Sequence, residues 1–295
     1  MKKIKLFQLN RRVRKLYITT NIACCQRLSN SSEPKFTDIE AAVIYLYGMN
    51  IGLQKKISIY NFAQEHLKKI CEQLPTYKQF CLGVNRLAPF FAEFCNAELR
   101  AKQKTSKTHL ADSMPIVVAK GCRSSRAKTA NDICDKGYIR NLRFLFASKK
   151  MWYYGVKIHV LSEEREHTVP VPRRIVITKA SEHDLNAGKI LLENAEDINV
   201  FADKAYIDDD WGYDLQLNFV NLNTPFKERS KNQIPLDDGE RAWNAMIASK
   251  RHMIESLFSQ ISRVTDIQCA NFVRSLDGLL AFIWAKLALM ALCHW

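Results

Sequence analysis

The chain has 295 residues, enough for one large domain or two smaller ones around a buried core. With 47% apolar and 25% charged residues it has the composition of a globular protein, which excludes a disordered or fibrous chain. The 44 Lys and Arg against 30 Asp and Glu leave a net charge of +14, which points to a polyanionic partner, nucleic acid ahead of a membrane surface. The chain opens with Lys2, Lys3, Lys5, Arg11, Arg12, Arg14 and Lys15 and meets no acid until Glu33. Such a run serves either as a DNA-contacting arm or as a solvated helix face. Ser29-Asn-Ser-Ser-Glu-Pro34 reads as a linker, and Thr37-Asp-Ile-Glu40 as a capping box that starts a helix. Apolar residues at helical spacing follow over 41–48, from Ser58 to about Leu74, and from Tyr77 to about Ala97. Residues 1–100 are therefore expected to be an all-helical, DNA-binding region with a basic arm.

A Lys-rich joint over 100–107 marks a change of character. Strand signals appear at 109–119, 151–160 and 174–178. A helix is expected from Asp184 to about Asn194, a strand at 198–203, a helix near Asp208 and a strand at 218–222. A polar loop over 227–239 precedes helices at 240–265 and 275–293. Residues 101–295 thus read as one α/β domain, a mixed sheet covered on both faces. The apolar run Gly278–Trp295 is interrupted by Lys286 and barely reaches spanning length, so it reads as a buried closing helix and no membrane partner is expected. Nine cysteines without C-x-x-C spacing, and an N-terminus without an apolar signal core, suggest reduced thiols and a cytoplasmic location.

Three acids stand in distinct settings. Asp112 interrupts the β-branched, apolar run 109–119, Asp203 closes the run 198–203, and Glu255 lies on a helical stretch four residues after Arg251. Two acids at strand ends and one on a late helix can converge into a cluster. Carboxylates at close range repel unless cations lie between them, and carboxylate oxygen suits magnesium. Taken singly, each acid also has a plain reading as a turn residue, a cap or a solvated helix side chain. The run Asp208-Asp-Asp210 reads as a helix cap, as does Asp184. His159, His183 and His252 share no metal-ligand spacing, and Trp152–Tyr154 read as packing against the sheet. Residues 100–150 hold 13 Lys and Arg against 3 Asp, so Arg123, Arg126 and Lys128, nearest in sequence to Asp112, are expected on a DNA-phosphate surface.

The blocks Asp112–Lys128, Trp152-Tyr-Tyr-Gly-Val-Lys-Ile-His159, Ile177-Thr-Lys-Ala-Ser-Glu-His-Asp184, Asp203-Lys-Ala-Tyr206 and Arg251-x-x-x-Glu255 occur in order. Together they resemble the catalytic region of bacterial insertion-sequence DDE transposases, and the segment Tyr60–Phe90 resembles that family's helical N-terminal region. The resemblance implies a ribonuclease H-like catalytic core. It implies that Asp112, Asp203 and Glu255 hold two magnesium (or manganese) ions for cleavage of element ends and joining of the 3′-hydroxyl to target DNA. Arg251 matches a residue that positions the DNA end, and Lys204 and Arg263 are expected to join it on DNA. Double-stranded DNA, a homodimer on that DNA and a nucleoid-associated location follow from the same resemblance. Two positions depart from the family pattern: Ala248 and Ser262 stand where a Tyr and a Lys are common, with Arg263 one place later. The alternatives are a transposase-derived DNA-binding protein with impaired catalysis and a ribonuclease H-like nuclease of another role.

Overall fold

The computed structural model describes residues 4–20, 35–67, 71, 73–139, 151–227 and 235–295. The linker expected at 29–34, Lys2, Lys3, Cys24, Cys25 and part of the polar loop lie outside them. The chain forms two compact units. One gathers Met1–Ala101, Thr129–Asp132 and Arg263–Trp295, and the other gathers Lys102–Lys128 and Ile133–Ser262.

In the helical unit, α1 (Leu6–Thr20) buries Leu9 and Val13 and turns its arginines outward. The run beginning at Thr37 forms α2 (Asp38–Asn50) with the expected capping box: Glu40 N donates to Thr37 Oγ1 at 3.2 Å, and Thr37 N donates to Glu40 Oε2 at 2.6 Å. α3 (Lys56–His66) is shorter than the apolar pattern suggests. The pattern from Tyr77 to Ala97 splits into α4 (Tyr77–Arg86) and α5 (Ala88–Arg100), with Leu87 ending one and starting the other. Pro89 accounts for the break, since it has no N–H for the preceding turn and is well placed at a helix start. The last 33 residues, which the sequence assigns to the α/β domain, group instead with this unit. Their helix α9 (Leu276–Cys293) is apolar nearly all round and packs against α2, α4 and α5. It is the one helix among the described residues long and apolar enough to cross a membrane, and most of it is buried.

The second unit is built on a six-stranded mixed sheet. β1 (Thr108–Lys120) and β3 (Met151–Glu163) form a long antiparallel pair. The other edge of β3 is shared between β2 (Asp135–Ile139) and β4 (Val171–Lys179). β5 (Ile198–Phe201) runs parallel to β1, and β6 (Val220–Asn223) parallel to β5. β2 is not expected from the sequence, because only Tyr138 and Ile139 of its five residues favour a strand and Asp135-Lys-Gly137 does not; the strand is recruited through its backbone by β3. Gly155 has a steric role at the β1 bulge: a Cβ there would lie 2.0 Å from the Ile116 carbonyl oxygen.

One sheet face carries Ala111, Leu161, Ile198, Val200 and Ala202, packed with Leu191 of α6 (Asp184–Leu191) and with Trp211 and Leu215 of α7 (Asp209–Leu217). α7 starts as the acid run suggests, with Trp211 N donating to Asp208 Oδ1 at 2.9 Å. The long helix α8 (Asp238–Thr265) approaches the opposite face. Ser262 Oγ meets Met114 Sδ at 3.4 Å, and the ammonium of Lys250 lies 5.8 Å from the Phe201 ring centre.

Candidate active site

The positions of Asp112 and Asp203 follow from strand register. β1 and β5 pair only over Thr108–Leu110 and Asn199–Phe201, and the last partners are Leu110 and Phe201. Asp112 and Asp203 each come two residues later, so side-chain alternation puts both acids on the face of Leu110 and Phe201. That is the face α8 covers. Asp203 stands just beyond its strand, as expected of a strand-end acid. Asp112 lies within β1, opposite Val160, and only its pairing with β5 ends before it.

α8 supplies the opposing charge. Ile247, Ile254, Phe258 and Ile261 form its buried stripe, and Arg251 occupies the same stripe at i+4 from Ile247. A cation there requires anions. The Arg251 guanidinium lies 3.7 Å from Asp112 Oδ2 and 3.4 Å from Asp203 Oδ1, so one cation is shared by both strands' acids and offsets half of their charge. Backbone amides hold the carboxylates: Ser113 N donates to Asp112 at 2.8 Å, and Lys204 N to Asp203 at 2.7 Å. The two acids differ in access, with side-chain exposures of 19% for Asp112 and 43% for Asp203. Burial pushes the Asp112 carboxyl up to about 6, opposed by Arg251 and the Ser113 amide and reinforced by Asp203 and Asp184. Tyr206 is buried with its hydroxyl unpaired, and burial beside these acids drives its pKa well above the phenol range.

Glu255 is half-buried one turn after Arg251 on the same side of α8. Among the described residues no three His, Cys, Asp or Glu side chains are arranged to hold a metal ion, so Asp112, Asp203 and Glu255 do not form such a set here. Arg251 is the cation at the two aspartates. The aspartates' donor chemistry nevertheless suits a hard cation: carboxylate oxygens, one with its pKa raised by burial. The Arg251 Nε, buried without a hydrogen-bond partner, calls instead for an acceptor such as a phosphate oxygen.

Asp184 departs from its expected role. His183 caps α6, accepting from Leu185 N through Nδ1 at 3.3 Å. The Asp184 carboxylate turns instead to Lys157 Nζ at 2.7 Å and accepts from Ser113 Oγ at 3.4 Å. Buried His159 lies 3.8 Å from the same oxygen and pairs with Thr178 Oγ1 at 2.8 Å. Burial holds its imidazole near pKa 4, the Asp184 charge opposing and Lys157 reinforcing. This polar group behind Asp112 was missed in the sequence, although Lys157 and His159, two apart in an apolar strand, are its trace. Trp152, expected against the sheet, is 60% exposed and pairs with Tyr138 across the β2–β3 register.

The basic residues are less concentrated than the sequence suggests. Arg123, Arg126 and Lys128 are exposed on the segment after β1, while Asp112 lies eight residues before that strand's end. At ~3.4 Å per residue this is roughly 27 Å along the strand. Lys204 is exposed beside Asp203, and Arg263 is exposed on the last turn of α8. Ser262, where a Lys is common in the resembling family, is buried on Met114, whereas Ala248 faces solvent. No curated protein and no solved structure gives a significant match to the chain. A family model described as "Transposase DDE domain" matches residues 102–274, more than half of the chain and a span that holds Asp112, Asp203, Arg251 and Glu255. The chain belongs to the DDE transposase family.

Proposed function

We propose that this chain is the transposase of an insertion sequence, with a ribonuclease H-like core that cuts element ends and joins the 3′-hydroxyl to target DNA. The observation that carries the reading is the in-register placement of Asp112 and Asp203 on one sheet face under a single guanidinium. Asp112 and Asp203, completed by Glu255, are the proposed holders of two magnesium or manganese ions. Such ions, when bound, stabilise charge on the transferring phosphoryl group and favour ionisation of the attacking oxygen. The chain's own residues prepare that place. Burial disfavours charge on Asp112, so an incoming cation gains from a carboxylate that the protein solvates poorly. Arg251 is shared by both aspartates until then, and its planar fork suits a DNA phosphate once they have another partner.

Exposed Lys204 is proposed to meet DNA beside the acids, and Arg263 near the end of α8. Arg123, Arg126 and Lys128 are proposed to meet phosphates several nucleotides away. Joining two element ends requires two active sites, so a homodimer on DNA is part of the reading. Ala248 and buried Ser262 favour one second reading, a family member with weakened handling of the DNA end.

Asp203→Ala tests the proposal in a cleavage assay on DNA carrying the element's inverted repeats, with magnesium present. Cleavage should fall by about a thousandfold, a loss of about 4 kcal/mol of transition-state stabilisation. DNA affinity should stay within about threefold, because phosphate contacts rather than this acid supply it. Unchanged cleavage removes Asp203 from the reaction. A wild-type chain that binds DNA without cutting it establishes the second reading.

A further inference from the structure

The helical unit contains a cleft of 320 Å³ whose charge the catalytic chemistry does not use. Lys56, the first residue of α3, lies half-buried in its wall. Its ammonium donates to Asn85 Oδ1 and sits 5.7 Å from the ring centre of buried Tyr45. Asn85 Nδ2 in turn donates to Ser275 Oγ at 3.3 Å, and Ser275 accepts from Gly278 N at 3.1 Å as the cap of α9. Gly278 leaves room for this link, since a Cβ there would come within 2.9 Å of Ser275 Oγ and 3.3 Å of Asn85 Oδ1. Lys56 is thus fixed in place by a neutral amide and a ring.

An ammonium partly withdrawn from water is costly without an anion, and neutral oxygens repay only part of that cost. Among the described residues that line the cleft there are three cations, Lys55, Lys56 and Arg274, and no acid. Asp277, in the first turn of α9, is not among the lining residues. Burial draws the Lys56 pKa down to about 8, a cost that a bound anion would reverse. Lys55 and Arg274 are exposed at the rim, and Tyr77 presents a ring that is 39% exposed. The volume lies near the lower end of ligand sites, about 300–1,000 Å³, and suits a phosphate with its sugar.

We propose that this cleft binds a backbone phosphate of a DNA strand, with half-buried Lys56 as the inner contact, Lys55 and Arg274 at the rim, and Tyr77 against the adjoining sugar or base. The proposal rests on the reading of the chain as a DNA transposase. It adds a DNA contact in the helical unit, whose Lys55, Lys56 and Tyr77 lie outside the matched span and whose Arg274 is its last residue.

The test measures binding of the full chain to a fluorescein-labelled duplex by anisotropy over a range of KCl, with no divalent ion. Lys56→Gln, which keeps a donor for Asn85, should weaken binding by about tenfold and lower the log–log salt slope by about 1. The rim variant Lys55→Gln/Arg274→Gln touches only exposed side chains and should lower the slope by up to about 2. It decides the matter if Lys56→Gln fails to fold. Wild-type affinity and slope in both variants overturn the proposal. Millimolar AMP that stabilises the wild type thermally, with DNA binding indifferent to Lys56→Gln, makes the cleft a small-anion site and overturns the DNA assignment. A wild-type chain that binds no DNA at all overturns the proposed function itself, a result distinct from either.

Discussion

In the sheet unit, Asp112 and Asp203 face a common arginine, whereas in the helical unit half-buried Lys56 and buried Lys286 are set against neutral partners. Lys286 is 2% exposed, donates to Gln54 Oε1 at 2.7 Å and to the Thr265 carbonyl, and lies 4.1 Å from the Phe282 ring centre. The two arrangements treat charge differently. A shared countercharge offsets half of the charge of the two aspartates until a better cation joins them, so the acid pair is prepared for exchange. Amide oxygens and rings only soften the cost of an ammonium, so both lysines lose protons more readily, Lys56 near pH 8 and Lys286 near pH 7. One lysine opens on a cleft where an anion can reach it, while the other closes the core around α9.

Removing the arginine is the strongest way to break this contrast. Arg251→Met should destabilise the metal-free chain by about 3 kcal/mol, at the low end for a buried ion pair because Asp203 keeps 43% of its side-chain exposure. Urea denaturation measures it, and the double variant Arg251→Met/Asp112→Asn should recover at least half of the loss. An Arg251→Met variant as stable as the wild type would show that solvent, not Arg251, balances the acids.

Next in size is the pH response of Lys286. Its proton is held below about pH 7 in the folded chain but up to about 10.5 in the unfolded one. Between these values the unfolded state binds more protons, so the stability contributed here rises with pH and is lost as pH falls through 7. The stability of the wild type relative to Lys286→Met should therefore increase by about 2 kcal/mol from pH 7 to 9. A pH-independent difference would mean that the ammonium stays charged in the core. The smallest effect belongs to Ser275→Ala, which removes the α9 cap and the support of Asn85. It should cost about 1 kcal/mol in thermal melting.

Much of this was legible beforehand where one stretch of chain suffices. The capping box at Thr37, the cap at Asp208, the apolar closing helix and the β-branched run around Asp112 all involve partners a few residues apart. Pro89 was a readable helix break, and its effect on the pattern from Tyr77 to Ala97 shows that a single missing N–H outweighs apolar periodicity. The site was legible in part. Asp112, Asp203, Arg251 and Glu255 could be singled out by residue type and setting, but Asp184 could not, since its local reading as a cap is chemically sound. Lys157 offers that carboxylate an ammonium at 2.7 Å, and His183 is free to cap in its place.

The sequence by itself determined the element types, the α/β character of the middle of the chain and the acids worth watching, because backbone periodicity and capping are short-range. Only the tertiary structure decided that β1 and β5 separate just before Asp112 and Asp203, and that Arg251 reaches both. It also decided that residues 263–295 return to the helical unit, and that Lys56 is half-buried with no acid among the residues lining its cleft. These outcomes depend on which distant groups share a desolvated space. Coulomb energy and burial act through space, where separation along the chain carries no information.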